Sequence, residues 1–380
     1  MNTKSVGRGL VSVFIGLCLL HYFSARELWL DEAFVYKNLL KDGYLYLFGP
    51  LDPVQSFPRL YLVLIKLVAT PFDLHVLALR LPSLLCMLGS VFLIMKIFRA
   101  DFRDDIRLFL ALLAICASYQ FAYYGAELKP YSMDVLVVAL HASYFHYQRV
   151  FEFDAPKPKD LILAALLPMT LFFSYASLFV FWIVSFNFLL QWRKNRKVWP
   201  AFLVNAVVSV VCFGLFYYFD IRHSVTKPGV EYWDGRFMCY ETFGCFWDKL
   251  GEGIRRLVIY PFYGIKALRY AAAVFIPFYV FAVFVYGSKR LVKDRIQVYH
   301  SDSLSLLLFI ELFVLGSFRL YPFTGDRLTL FLSPFVIYMT VKGLTGFIKW
   351  PKVRKAAIGY FLVFYLMCFI RTIYLLVQYY

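Results

Sequence analysis

Charge is what this chain has least of. Charged residues fill 17% of its 380 positions, against about 25% in soluble globular domains. Acids are the scarcer half, with 24 Asp and Glu against 40 Lys and Arg. Hydrophobic residues reach 61% and aromatic residues 21%. A soluble fold of this length has too little interior for that much apolar surface, so a soluble enzyme and a disordered chain are both excluded and lipid becomes the solvent. The net charge of +16 would suggest nucleic acid in a water-soluble protein. Here it reports the positive-inside rule and membrane-lipid or phosphate partners, and no nucleic acid is expected. Other absences narrow the class. No Gly-rich phosphate loop follows a strand, and no heptad, tandem repeat, low-complexity tract or Asn-x-Ser/Thr acceptor occurs.

Long apolar runs are what the chain has in abundance. A crossing needs about 20 residues for about 30 Å of hydrocarbon. Candidate spans fall at 6–23, 74–98, 106–124, 130–148, 161–174, 176–192, 198–219, 271–285, 303–316, 328–341 and 356–377. The first has no small-x-small cleavage site after it and is expected as a retained anchor. Residues 57–70 are ambiguous: short, and interrupted by Pro58, Arg59 and Lys66, they read as an interfacial or re-entrant helix. If they do not cross, the basic clusters Lys96/Arg99/Arg103/Arg107, Arg193/Lys194/Arg196/Lys197, Lys289/Arg290/Lys293/Arg295 and Lys349/Lys352/Arg354/Lys355 share one side with Lys4 and Arg8. Positive-inside therefore selects an all-α polytopic membrane protein of about eleven transmembrane helices, with a cytoplasmic N-terminus and the C-terminus outside. Residues 1–380 read as one integral domain. Its two sizeable loops, 24–73 and 220–270, both fall outside, the first carrying short interfacial helices.

Chemistry is expected where polar residues gather on that outer face. Asp31 and Glu32 follow Trp29-Leu30 at the end of the first span. A carboxyl group at the lip of a membrane is partly desolvated, the condition that brings it toward the basicity of a general base; the plain alternative is Asp31 as the N-cap of a surface helix. Arg59 opens the short helix 57–70 against the dipole preference for anions, a cost that a bound anion would reverse; a snorkelling Arg is the alternative. A third stretch reads Glu127-Leu128-Lys129-Pro130-Tyr131-Ser132, and a fourth runs from Arg319 through Tyr321-Pro322 to Asp326-Arg327. Arg59, Lys129 and Arg327 thus all defy the inside rule on one face, which suggests an anion held there. The cytoplasmic loops leave no room for a nucleotide-binding domain, so the anion expected is a lipid-linked phosphate. Transfer from such a donor needs a carboxylate to take the acceptor's proton, a cationic clamp on the departing phosphate, and aromatic faces for the sugar.

In that order and spacing these pieces resemble the C-type glycosyltransferase superfamily of polyprenyl-phosphate-sugar users. The likeness is to its bacterial branch similar to protein O-mannosyltransferases and aminoarabinose transferases. Its Trp-x-Asp-Glu-Ala stretch is matched by Trp29 to Ala33. Its Pro-Pro-Leu-Tyr helix is matched by Pro58 to Tyr61, with Arg59 replacing the second Pro. Its Arg-Leu-Pro-Ser span start is matched by Arg80 to Ser83. Its Glu-Ala-Arg-Pro-Tyr-Ser is matched by Glu127 to Ser132, with Lys129 for Arg, and its late Arg-Tyr-Leu…Pro stretch by Arg327 to Pro334. The resemblance implies a glycosyltransferase of the bacterial inner (plasma) membrane, active at the extracytoplasmic face, that inverts the sugar. Asp31 would be the base, with Glu32 assisting or binding the acceptor. Arg59, Tyr61, Glu127, Lys129, Tyr131 and Arg327 would bind substrate. The acceptor would be an envelope lipid, glycan or protein. Some members use a divalent cation; no metal ligand set beyond Asp31 and Glu32 stands out.

Two other readings stay open: a lipid or glycan transporter or flippase, and a catalytically inactive relative. Ionisable residues inside the spans mark transport pathways, and here Asp134, His141 and Glu311 are the main ones. Of seven cysteines, Cys18, Cys86, Cys116, Cys212 and Cys368 lie in spans and read as core, whereas Cys239 and Cys245 share an outer loop and are expected to pair. His223, Glu231, Asp234, Glu241 and Asp248 in that loop have no metal-ligand spacing and read mostly as a solvated face. Residues 254–270, with Arg255, Arg256 and Arg269 among apolar residues, read as a basic amphipathic surface segment.

Overall fold

Apolar runs in lipid must satisfy their backbone groups internally, and a helix does so within one segment. The computed structural model describes residues 3–52, 56–102, 105–222, 231–262, 266–348 and 350–378; His223 lies outside them. Among the described residues every regular element is helical: α1 (Thr3–Phe23), α2 (Leu30–Leu39), α3 (Arg59–Ala69), α4 (Val76–Asp101), α5 (Asp105–Ala117), α6 (Tyr119–Tyr124), α7 (Tyr131–Gln148), α8 (Pro158–Met169), α9 (Phe181–Trp192), α10 (Trp199–Phe216), α11 (Phe243–Ile259), α12 (Lys266–Ala273), α13 (Ile276–Phe281), α14 (Ser288–Lys293), α15 (Ser301–Ser317), α16 (Ser333–Phe347) and α17 (Pro351–Val377), with short 3-10 and π turns between.

Six stretches are long and apolar enough to cross a membrane: Val76–Asp101, Tyr175–Trp192, Arg196–Ile221, Leu268–Lys293, Arg327–Gly346 and Pro351–Val377; Gly7–Phe23 is a shorter apolar helix. These make the chain a multi-pass membrane protein. The expected spans at 106–124, 130–148, 161–174 and 303–316 are helical but fall short of that length or apolarity. Ser118 turns extended and divides α5 from α6. Pro168 lies in the last turn of α8, which ends at Met169. Helices α7 and α15 carry Asp134, His141, Asp302 and Glu311. Those groups face protein, not lipid: Asp134 accepts from Ser174 Oγ at 2.6 Å, Glu311 from Trp182 Nε1 at 2.7 Å, and Asp302 meets Lys342 Nζ at 2.5 Å.

Packing runs along the long helices, with α4 against α7, α8 against α10, and α1 against α5. The outward sides of α10 (Val207, Val210, Val211, Leu215) and α17 (Val363, Met367, Ile370) are apolar and exposed, a surface suited to lipid rather than water. A separate core of Val35, Leu39, Leu47, Phe57, Tyr61, Ile65 and Leu79 seats α2 and α3 near the start of α4. Helix α4 therefore connects two ends of the bundle: Arg80 in its first turns and Asp101 at its last residue lie about 30 Å apart at 1.5 Å per residue. Cys239 and Cys245 are disulfide-bonded with Cα atoms 5.6 Å apart, and the other five cysteines are free and buried.

Candidate functional site

Helix α2 begins with Trp29, not Asp31, in the extended cap position. Asp31 is thereby the second helical residue rather than the cap. The Trp29 backbone N–H donates to Glu32 Oε2 at 3.3 Å, so Glu32 closes the first turn as a third-position acid does in a capping box. Consecutive acids on one turn point in different directions, and the two part company here. Asp31 keeps 21% of its side chain exposed, whereas Glu32 is fully buried.

The surroundings of Glu32 are complete. Arg80 grips it as a fork, Nε to Oε1 at 3.0 Å and Nη2 to Oε2 at 2.7 Å. The Leu128 backbone N–H donates to Oε1 at 2.6 Å, and Arg26 Nη1 stands 3.5 Å from Oε2. Arg80 also donates to the Arg26 carbonyl at 2.7 Å. Its acceptor positions are filled by protein, so Glu32 holds three segments together.

Among the described residues Asp31 pairs with Arg327 and interacts electrostatically with Lys129. Arg327 Nη1 donates to Asp31 Oδ2 at 2.5 Å across 296 residues of sequence, and the same guanidinium lies over the Trp29 ring, 5.6 Å from its centroid. The other face of this group is built by 127–131. Trp29 Nε1 donates to Glu127 Oε1 at 2.5 Å, while Glu127 Oε2 is buried without a hydrogen bond. Burial, and next the Glu32 charge, push the Glu127 carboxyl up to about 8. Burial holds the Lys129 amine below the ordinary lysine range, against the pull of Asp31 and with the repulsion of Arg327. Tyr131 is buried, its ring 5.1 Å from that of Tyr124, with Arg327, Glu127 and Asp31 among its charged neighbours.

The structure thus brings together Asp31, Glu32, Glu127, Lys129, Tyr131 and Arg327. It pairs Arg59 with a different carboxylate, Asp220. Arg59 is 2% exposed, donates to the Leu47 carbonyl at 3.4 Å, and has Nε 3.8 Å from Asp220 Oδ1, which also accepts from Tyr175 at 2.7 Å. A buried guanidinium in an apolar core requires a carboxylate, and the last turn of the 196–221 span supplies it. Tyr61 is likewise buried and bonds to Ser83 Oγ at 3.0 Å, one link from the Lys129 carbonyl at 3.3 Å. It supports the 127–131 turn from behind.

Arg80 was legible only as a motif letter. A charged residue between Leu79 and Leu81 in an apolar run is itself a signal of a buried partner. Asp326 was also missed. Its Oδ1 caps the turn starting at Arg327 through the Leu328 N–H at 2.9 Å, and burial raises its carboxyl to about 6, opposed by that cap and by Arg236 and Arg327.

The loop bearing Arg327 is set by close backbone approach. A Cβ on Gly325 would lie 2.2 Å from the Arg256 carbonyl oxygen, and one on Gly253 would lie 2.3 Å from the Phe323 ring. Gly325→Ala is therefore expected to push the loop off α11, costing about 1–3 kcal/mol as overpacking does and parting Arg327 from Asp31; thermal unfolding measures the cost.

Glu127 adds a pH dependence of defined sign. Its folded value of about 8 exceeds the ordinary carboxyl value of about 4.3, so between the two the folded state holds the extra proton. Stability from this group is full below the unfolded value and is lost as pH rises toward 8. Glu127→Gln is expected to flatten the decline of Tm across pH 5–8; an unchanged slope assigns the linkage elsewhere. A comparison of the chain with known protein families, with characterised proteins and with solved structures found no match.

Proposed function

We propose that this chain is an integral-membrane glycosyltransferase. It moves a sugar from a polyprenyl-phosphate donor to an acceptor hydroxyl or amine of an envelope lipid, glycan or protein, with inversion, at the extracytoplasmic face of a bacterial plasma membrane. The observation that carries the reading is the partly exposed Asp31 carboxylate held 2.5 Å from Arg327, with Lys129 in the field of both. On the expected topology of about eleven spans with the N-terminus inside, the positive-inside rule favours an outer placement of that pair.

The chemistry follows from the charges. Without donor, Arg327 rests on Asp31. A donor phosphate gives Arg327 and the desolvated Lys129 an anionic partner of better geometry and leaves Asp31 to the acceptor. The acceptor oxygen or nitrogen attacks the anomeric carbon opposite the phosphate, and its proton goes to Asp31. The bond from that carbon to the phosphate oxygen breaks with its electron pair, so the leaving polyprenyl phosphate gains a negative charge that Arg327 and Lys129 stabilise. Trp29, whose indole is fixed by Glu127, offers an aromatic face for the sugar. The groups around Asp31 do not suit a divalent cation: one available carboxylate among Arg327, Lys129, Arg26 and Arg80 is a repulsive setting, and no step is routed through a metal.

Charge reversal tests the clamp. Lys129→Glu and Arg327→Glu are each expected to raise the donor KM by roughly 10–100-fold, the worth of one charge-assisted hydrogen bond. Unchanged donor KM in both overturns the assignment. Mass spectrometry of envelope glycolipids and glycans with and without the chain identifies sugar and acceptor. Movement of intact lipid-linked sugar across proteoliposomes, with no covalent product, favours a transporter instead.

A further inference from the structure

A second polar cluster stands at the other end of α4. Asp101 ends that helix, His146 lies in the last turn of α7, and His300 immediately precedes α15. His300 Nδ1 is 3.1 Å from Asp101 Oδ1, His146 Nε2 is 3.4 Å from Asp101 Oδ2, and one donor atom from each of the three lies within 4.8 Å of the others. We propose that these three residues form a binding site for a zinc-class divalent metal ion, distinct from the Asp31 cluster and independent of the transferase reading.

Two arguments point to a metal. A tetrahedral ion with bonds of about 2.0–2.1 Å spaces its ligands about 3.3 Å apart, close to the His300 Nδ1 to Asp101 Oδ1 and His146 Nε2 to Asp101 Oδ2 separations. Two imidazoles and one carboxylate on a shared face are the donor set of borderline divalent ions, which complete their shell with water. Asp101 Oδ2 also accepts the Ser301 backbone N–H at 3.0 Å, which fixes the carboxylate between the two rings.

The supporting shell is built as well. Asp294 Oδ2 stands 3.9 Å from His300 Nε2, beyond a hydrogen bond, and is held by Arg290 Nε at 2.8 Å. The Arg290 guanidinium also touches His300 Nε2, so metal binding at Nδ1 moves the His300 hydrogen to Nε2 and turns Arg290 onto Asp294 alone. The segment before His300 is fixed by Asn187, which exchanges two 2.9 Å bonds with the Val298 backbone, and by Gln191, which donates to Tyr299 Oη at 2.7 Å. The site is reachable: the side chains of His146 and His300 are 20% and 18% exposed, and Asp101 is 2% exposed behind them. Its ligands come from α4, α7 and the start of α15, so the ion would clamp the two halves of the chain at the end remote from Asp31.

The test uses the full chain without a histidine tag, stripped with chelator and titrated with Co²⁺, Zn²⁺ and Mn²⁺. One equivalent of Co²⁺ with visible d–d absorption, displaced by Zn²⁺, is expected, with Tm raised by several degrees on binding. His146→Ala and His300→Ala are each expected to weaken Co²⁺ binding by roughly 100-fold or more and to abolish the Tm rise. His146→Gln is the variant least prone to misfold, because its amide can still meet the Asp101 carboxylate that His146 Nε2 faces at 3.4 Å. Sub-stoichiometric binding by the intact chain, or affinity and Tm response unchanged in the His146 and His300 variants, overturns the site and leaves a pair of His–Asp ion pairs.

Discussion

Replacing Asp31 with Asn is expected to lower turnover by about 10²–10⁴-fold, the contribution of a positioned general base, while donor KM changes little. The asymmetry follows from the geometry. Asn is isosteric, and its amide oxygen keeps an acceptor for the Arg327 guanidinium, which donates to Asp31 at 2.5 Å. The cation therefore stays in place to meet the phosphate. What Asn cannot do is take the proton from the acceptor, so the loss falls on kcat. Exposure decides which acid of the pair performs this role, since Asp31 retains 21% of its side-chain surface and Glu32 none. Kinetics with a lipid-linked donor at saturating acceptor check the result. Turnover within a few-fold of the native chain would sink Asp31 as the base. A loss appearing only in KM would reassign it to donor binding.

The second large effect is structural and lies one residue away. Arg80→Ala is expected to cost about 3–5 kcal/mol, because removing one partner of a buried ion pair leaves the other uncompensated. Glu32 would keep the Leu128 N–H and Arg26 at 3.5 Å but lose both teeth of the fork. An apparent Tm lower by roughly 10 °C is the readout. The contrast with Asp31→Asn is the useful part: the Arg80 variant loses fold and activity together, and the Asp31 variant loses activity alone. The double variant Glu32→Gln/Arg80→Met separates charge from packing. If the pair acts mainly by mutual neutralisation, the double change costs less than the sum of the single ones. Strict additivity would show that the two do not depend on each other.

Much of this was legible along the chain because lipid imposes strong local rules. An apolar run must be helical, and Arg193, Lys194, Arg290 and Lys293 cluster at helix ends for reasons that no tertiary contact is needed to state. The helical class, the multi-pass architecture and the pairing of Cys239 with Cys245 all follow from composition and order. Trp29 to Glu32, Glu127 to Tyr131 and Arg327 announced themselves as polar residues in apolar company. Which carboxylate each cation would meet was not legible. By type and flank Arg59 matched Arg327, yet Arg59 pairs with Asp220 and Arg327 with Asp31.

By itself, then, the sequence determined the solvent, the secondary structure and the set of residues too polar for where they lie, because each depends on neighbours within a turn or two. Only the tertiary structure decided partnership: Glu32 to Arg80, Asp31 to Arg327 and Asp101 to His146 and His300. A buried charge pairs with whatever opposite charge packing delivers, and that delivery spans 48 residues for Glu32 and Arg80 and 296 for Asp31 and Arg327. No local pattern encodes such distances, so which acid is buried and which stays partly exposed emerges only when the helices are packed.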